Sequence, residues 1–183
     1  AMRLRLEAIA DTTTDSGIAS QAQAAIQEVD RLTRRVDQVL ALATAEPTVE
    51  TVVIDVGECA QLRVLEWQGL AARRGISLQC EQEVARIRSS VGDVERIIDE
   101  LVGNALDYAH SKVLIAVVGD AEFVHLRVHD DGQGVAAGDQ DRVFDRFQRG
   151  SGSVPGGTGL GLALVRQAAS NSGGSVRIIP STS

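Results

Sequence analysis

No stretch of this chain approaches the run of about 18 apolar residues that reads as a membrane-spanning helix, and no cleavable leader pattern is visible at its start. Aromatic residues make up only 3% of it, so Leu, Val, Ile and Ala must build the core. Cysteine is scarce: Cys59 and Cys80 stand far apart and outside any C-x-x-C spacing. That excludes a disulfide scaffold and reads as two reduced thiols in a cytoplasmic setting. A basic excess is also missing. The net charge of −7 speaks against a nucleic-acid binder, which carries a basic footprint, but leaves room for a small basic pocket. What is present is enough to fold: 183 residues, 44% of them hydrophobic, suffice for one domain plus an appendage. Ala1-Met2 reads as an expression scar ahead of an internal start.

Up to about Glu46 the pattern is helical. Ile26, Val29, Thr33, Val36, Leu40 and Ala43 follow the alternating three-and-four spacing of an a/d seam, widened by Leu32 and Val39. Met2 to Ala10 reads as a shorter partner helix, and DTTTDSG at 11–17 as the polar turn between them. A seam this narrow wants a partner. Dimerisation into a four-helix bundle would cover it; the alternative is a helix docked on its own domain. Pro47 ends the region. Beyond it the spacing predicts strands at 49–56, 76–82, 113–118, 123–129 and 175–179, and helices at 58–74, 93–108 and 160–170. Interleaved strands and helices around a central hairpin give an α+β class: a mixed sheet covered by helices.

Four stretches carry candidate chemistry. In DVERIIDELVGNALDY, Glu100, Asn104 and Asp107 share one helix face, opposite most of the apolar residues. A carboxylate and an amide oxygen one turn apart suit a hard cation such as Mg²⁺, though most helices have a solvated polar face anyway. In VHDDGQGV, a predicted strand ends at Asp130, with Gly132 and Gly134 at D-x-G-x-G spacing. The glycines let a planar ligand approach, and Asp130 can accept from an exocyclic amine such as that of adenine; a plain Asp-Gly turn is the alternative. In DRVFDRFQRG, Arg142, Arg146 and Arg149 would share a face if the segment is helical, with Phe144 and Phe147 anchoring the other side. The competing reading is a surface turn with ion pairs such as Asp145 to Arg149. In PGGTGLGLALV, Thr158 can cap a helix whose first N–H groups, around Gly159, Leu160 and Gly161, attract anions.

Each stretch is weak alone, but their order is specific. ELVGNALDYA resembles the N box, VHDDGQGV the G1 box, RVFDRF the F box and GGTGLGLALV the G2 box of sensor histidine kinases, within the wider GHKL (Bergerat-fold) ATPases. The resemblance covers about residues 48–179, and residues 1–46 resemble the dimerisation helices that precede this domain in that family.

The resemblance implies a partial dimerisation hairpin at 1–46 and an ATP-binding catalytic domain at 47–183. It implies that Asn104 ligates Mg²⁺ on the ATP phosphates, with Glu100 at the second metal-side position. Asp130 would read the adenine amine, Gly132 and Gly134 would border the base, and Tyr108 would lie near the nucleotide. Arg146 and Arg149 would reach phosphates from a lid over 136–158, and Thr158, Gly159, Leu160 and Gly161 would present backbone amides. Implied partners are a second copy through the N-terminal helices and the receiver domain of a response regulator, with no nucleic acid. Implied too is a cytoplasmic domain of a bacterial membrane protein anchored by regions outside this chain. Two departures stand out. The family often has Lys where this chain has Asp107. None of His110, His125 and His129 has the context of the family's phosphoacceptor, so the chain reads as a fragment cut after it, and a further strand is expected after IIPSTS. His110 reads as a helix-dipole partner, and His125 and His129 as solvent-face strand residues. The alternatives are an anti-sigma-factor type serine kinase on the same fold, or an interaction module with degenerate ATP binding.

Overall fold

The structure, a computed structural model, describes residues 2–13, 15–43, 51–148 and 158–180. The chain divides into two compact units, Ala1–Ala45 and Glu46–Ser183.

In the first unit, helix α1 (Met2–Thr12) packs against helix α2 (Ser16–Ala43). The turn is tighter than the seven-residue stretch of the sequence reading, because Asp15 caps α2 from close in. Its Oδ1 accepts from the N–H groups of Gly17 at 2.8 Å and Ile18 at 3.2 Å. With 11 residues against 28, α1 covers only the start of the seam. Ala22 and Ile26 are buried, whereas Leu32 and Val36 are 49% and 56% exposed. The side chains of Thr33, Leu40 and Ala43 lie outside the described residues.

The second unit is α+β. Its elements are β1 (Thr51–Asp55), α3 (Val56–Arg73), β2 (Ser77–Gln82), β3 (Arg86–Ser90), α4 (Asp93–Tyr108), β4 (Lys112–Gly119), β5 (Val124–Asp130), a single 3₁₀ turn (Arg142–Phe144) and α5 (Gly161–Asn171). β2 runs parallel to β4, with Leu78 opposite Val113, and β4 runs antiparallel to β5, with Ile115 opposite Val128. A separate antiparallel pair, β1 with β3, sets Ile54 opposite Ile87. Alternation along β4 buries Val113, Ile115 and Val117 against Val64 and Ala71 of α3 and Ile98, Val102 and Leu106 of α4. Each such fully buried aliphatic side chain contributes about 1.5–3 kcal/mol.

Local signals explain the boundaries. Asp55 caps α3 by accepting from Gly57 and Glu58 N–H at 3.1 and 3.2 Å. Gly75, at φ +70, ends it in the left-handed conformation that glycine adopts without strain. α4 carries Asp93 and Glu95 in its first turn, on the positive end of the helix dipole. Its position on α3 is held by Asp99, which accepts from Arg63 Nε (2.9 Å), Arg63 Nη2 (2.6 Å) and Trp67 Nε1 (2.8 Å). These charge-assisted bonds clamp the helix that bears Asn104.

Two elements differ from the sequence reading. β3 was not expected: in ARIRSS only Ala85, Ile87 and Ser89 point inward, too weak an alternation to register without its partner β1. The strand expected at 175–179 joins no described ladder. Val176 and Ile178 are half-buried between exposed neighbours, so the alternation is real. Alternation decides which way side chains face, but a strand also needs a partner's backbone.

Candidate nucleotide-binding site

The site is assembled at one end of the second unit, where α4 finishes and β5 finishes beside it. Asn104 lies exposed one turn before the end of α4, with half-buried Glu100 one turn earlier on the same face. Tyr108 is the last residue of α4, and Asp130 the last of β5. The two ends meet through Gly132. A Cβ there would overlap the Tyr108 carbonyl oxygen and sit 2.7 Å from Asp130 Oδ1, so only glycine lets the turn close onto α4. Gly132 N–H donates to Asp130 Oδ1 at 2.9 Å, which orients the half-buried carboxylate. Gly134 sits at φ +70 with open space around its Cβ position.

The second wall comes from α5, which packs on α4 through a face that buries Ala163, Leu164, Val165 and Ala168. Thr158 Oγ1 accepts from Leu160 N–H at 3.2 Å, Leu160 is buried, and Gly161 opens the helix. The N–H groups of the first turn lack carbonyl partners within a helix and face outward from its start, the usual setting for an anion. Gly159 is at φ +67, and a Cβ on it would lie 2.7 Å from Gln148 O and 2.8 Å from the carbonyl carbon of Phe147. Phe147 N–H donates to Gly159 O at 2.9 Å, so the described stretches ending at Gln148 and beginning at Thr158 are joined here.

Two expectations for the arginine segment change. The helical face needed to align Arg142, Arg146 and Arg149 does not form, because helical geometry ends with the 3₁₀ turn at Phe144 and Asp145 is extended. Arg142 reaches Gln148 at 3.4 Å and Arg146 reaches Gln167 at 3.5 Å; Arg149 lies outside the described residues. Phe144 anchors the turn at 5% exposure, but Phe147 is 73% exposed, since its φ of +63 swings it away from the core. Asp145 pairs with Arg166 at 3.0 Å, and its expected pairing with Arg149 lies outside the described residues.

Asp107 does not lie idle where the resemblance leads one to expect a cation. Its Oδ1 accepts from Arg74 Nη1 at 2.7 Å, and the same nitrogen donates to Leu106 O at 2.9 Å. A guanidinium therefore stands beside the N-box helix, supplied by the end of α3. His125 is hydrogen-bonded to Asp120 at 2.8 Å, and Arg127 and His129 are exposed, in line with a solvent face of β5. His110 turns its Nδ1 to the Asp131 carbonyl at 2.7 Å instead of to the end of α4. Cys59 and Cys80 are free thiols, and burial, followed by the nearby Glu95 charge, pushes Cys59 up to about 11.

As a cation site, half-buried Glu100 and exposed Asn104 offer a carboxylate and an amide oxygen on one helix face. No group of three or more His, Cys, Asp or Glu side chains gathers for a metal among the described residues. That sparse, all-oxygen donor set suits Mg²⁺, which takes few protein ligands and shares the rest of its shell with phosphates and water. No described helix is long and apolar enough to cross a membrane.

Residues 90–183, just over half of the chain, match the model of the histidine kinase-, DNA gyrase B- and HSP90-like ATPases. The sensor histidine kinase MtrB of Mycolicibacterium paratuberculosis is 34% identical over 161 residues, covering 82% of this chain and 28% of that protein. The chain thus spans less than a third of this relative. Full-length ShkA, solved in complex with AMPPNP, superposes with a TM-score of 0.70 at 23% identity, covering 94% of this chain and 38% of ShkA. The mycobacterial sensor histidine kinase MprB gives 0.61 at 23% identity over 70% of this chain and 84% of that one. At such identities the structures speak for the fold, which is that of GHKL catalytic domains. The family match over more than half of the chain places it in the histidine kinase-, DNA gyrase B- and HSP90-like ATPase family, and the order of the four boxes and the MtrB relative agree with a catalytic domain of the sensor histidine kinase type.

Proposed function

We propose that the chain is the ATP-binding catalytic part of a two-component sensor histidine kinase. Residues 47–183 would bind Mg-ATP, and residues 1–46 would belong to the dimerisation region through which two copies associate. The carrying observation is the junction of Tyr108, Asp130 and Gly132. It sets a half-buried carboxylate acceptor in a glycine turn pressed onto the end of α4, with open space at the Cβ position of Gly134. In this reading Asp130 accepts from the adenine amine, the N–H groups opening α5 receive phosphate oxygens, and Asn104 with Glu100 holds Mg²⁺. The bound Mg²⁺ would neutralise charge on the phosphates. The protein's share of phosphoryl transfer is then positioning, without a covalent intermediate of its own.

The γ-phosphoryl would pass to a histidine, and from there to an aspartate of a response regulator. None of the three histidines here is placed for that role: His110 and His125 are engaged at opposite ends of the hairpin, and His129 lies on the open face of β5. The whole protein would act as a homodimer at the cytoplasmic side of a bacterial membrane. The leucine and valine left exposed on α2 support the dimer, since they continue an apolar seam past its intramolecular cover.

Thermal unfolding tests the binding. A ligand at a hundredfold excess over its dissociation constant stabilises the fold by about 2.7 kcal/mol, a shift of several degrees. ATP with Mg²⁺ is expected to raise the midpoint of the wild-type chain. Asn104→Ala is expected to lose the part of that rise that chelating the Mg²⁺ removes. An ATP effect that is absent, or indifferent to both, would refute the assignment.

A further inference from the structure

The residue after the adenine-facing aspartate is the most heavily hydrogen-bonded side chain described outside the pocket itself. Asp131 is exposed, yet its Oδ1 accepts from the N–H groups of His110 (2.8 Å), Ser111 (3.0 Å) and Lys112 (3.1 Å). Its Oδ2 accepts from Ser111 N–H at 3.0 Å and from Ser111 Oγ at 2.6 Å. Its own N–H donates to Lys112 O at 3.2 Å, and its carbonyl meets His110 Nδ1 at 2.7 Å. The gripped segment is the connection from α4 to β4, which is itself tied to β2 by Ser77 N–H donating to Ser111 O at 2.7 Å. A solvated turn acid has no need of such bonds. Here the Ser111 hydroxyl, then the backbone N–H groups of Ser111, Lys112 and His110, hold the Asp131 carboxyl well below the usual carboxylate range.

The connection that Asp131 grips begins one residue after Tyr108, and Asp131 follows Asp130 directly. Asp130 therefore adjoins one member of this cluster directly, and Tyr108 stands two residues from another, His110. Gly132 closes the loop by pressing back on the Tyr108 carbonyl. A loop gripped by one carboxylate on one side and by backbone contact on the other has little freedom to slide.

We infer that Asp131 is a positioning residue for base recognition: it locks the α4–β4 connection to the end of β5 and so fixes the direction in which Asp130 presents its carboxylate. The inference rests on the proposed adenine pocket, and its test separates the two. Inosine triphosphate has a carbonyl where ATP has the amine that Asp130 would accept from. The ratio of the two affinities therefore reads the orientation of Asp130, whereas a general loss of stability would weaken both nucleotides alike.

The experiment is calorimetric titration of the whole chain with ATP and with inosine triphosphate, in Mg²⁺. The wild type is expected to prefer ATP by about tenfold, the worth of one good hydrogen bond to a charged acceptor. Asp131→Ala is expected to shrink that preference to about twofold by weakening ATP. Asp131→Asn keeps an oxygen for the three N–H donors, and is expected to retain most of the preference. Ser111→Ala removes one donor and shifts the ratio in the same direction by a smaller amount, which keeps the test alive if Asp131→Ala does not fold. An unchanged ratio in Asp131→Ala, or in Ser111→Ala where only that variant folds, overturns the positioning role. An unchanged ratio in Asp130→Ala overturns the adenine reading itself, and the inference with it.

Discussion

Gly132→Ala is expected to weaken ATP binding about a hundredfold, the scale of effect that a displacement of about 1 Å has in a site built on positioning. The added Cβ would overlap the Tyr108 carbonyl oxygen, approach Tyr108 C at 3.0 Å and lie 2.7 Å from Asp130 Oδ1. Two of those three atoms are backbone of the last α4 residue and cannot rotate away. The turn must lift off α4, and the Gly132 N–H to Asp130 Oδ1 bond goes with it. Because the clash lies at the rim and not in the core around Ile98, Val102 and Ile115, the domain is expected to stay folded. Gly69→Ala on α3 is the control, since its φ is ordinary and its Cβ would meet only the flexible end of Arg73 at 3.6 Å. Equilibrium titration with ATP, beside circular dichroism of both variants, checks this; equal affinity in the two variants would show that the Gly132 turn does not border the nucleotide.

Gly159→Ala is expected to cost about thirtyfold in ATP affinity, for two reasons that add. A left-handed backbone costs a non-glycine residue about 1–2 kcal/mol. In addition the Cβ would press on Gln148 O at 2.7 Å and on Phe147 C at 2.8 Å. Relief requires breaking the Phe147 N–H to Gly159 O bond, which closes the base of the segment between them. Phe147 is the one non-glycine residue with positive φ among those described, so this junction already holds strain that the surrounding contacts must offset. Releasing it is expected to free the start of α5 from its present register, and with it the N–H groups proposed for phosphate. Titration with ATP measures the loss, and an unchanged affinity would mean that the stitch between Phe147 and Gly159 plays no part in binding.

The sequence carried much of this arrangement. The limits of α4 were legible because its apolar residues recur at helical spacing over 16 residues, bounded by Gly92 and by the break after Tyr108. The hairpin of β4 and β5 was legible from alternation around a Gly-Asp turn. What could not be read were features decided by distant partners. β3 exists because β1, more than 30 residues earlier, offers it a ladder from Asp55↔Arg86 to Thr51↔Ser90. The Asp99 clamp joins α3 to α4 across a gap of 36 residues to Arg63 and 32 to Trp67. The arginine face does not form for a local reason: it required helical spacing over a segment whose backbone leaves the helix at Asp145 and turns left-handed at Phe147. Asp131 fills the first unspecified position of D-x-G-x-G, and nothing in that spacing shows that its side chain gathers five hydrogen bonds. Asp107 stands out in the sequence as a missing cation, and its guanidinium partner, Arg74, lies 33 residues away.

The central claim is that Asn104 and Asp130 act on the two ends of one nucleotide. Calorimetric titration of ATP into the wild-type chain, Asn104→Ala and Asp130→Ala, each with and without Mg²⁺, tests it most directly. Each variant is expected to bind at least tenfold more weakly than wild type in Mg²⁺, about 1.4 kcal/mol or more. Withdrawing Mg²⁺ is expected to weaken the wild type and Asp130→Ala but to leave Asn104→Ala nearly unchanged. Wild-type affinity in both variants would contradict the account.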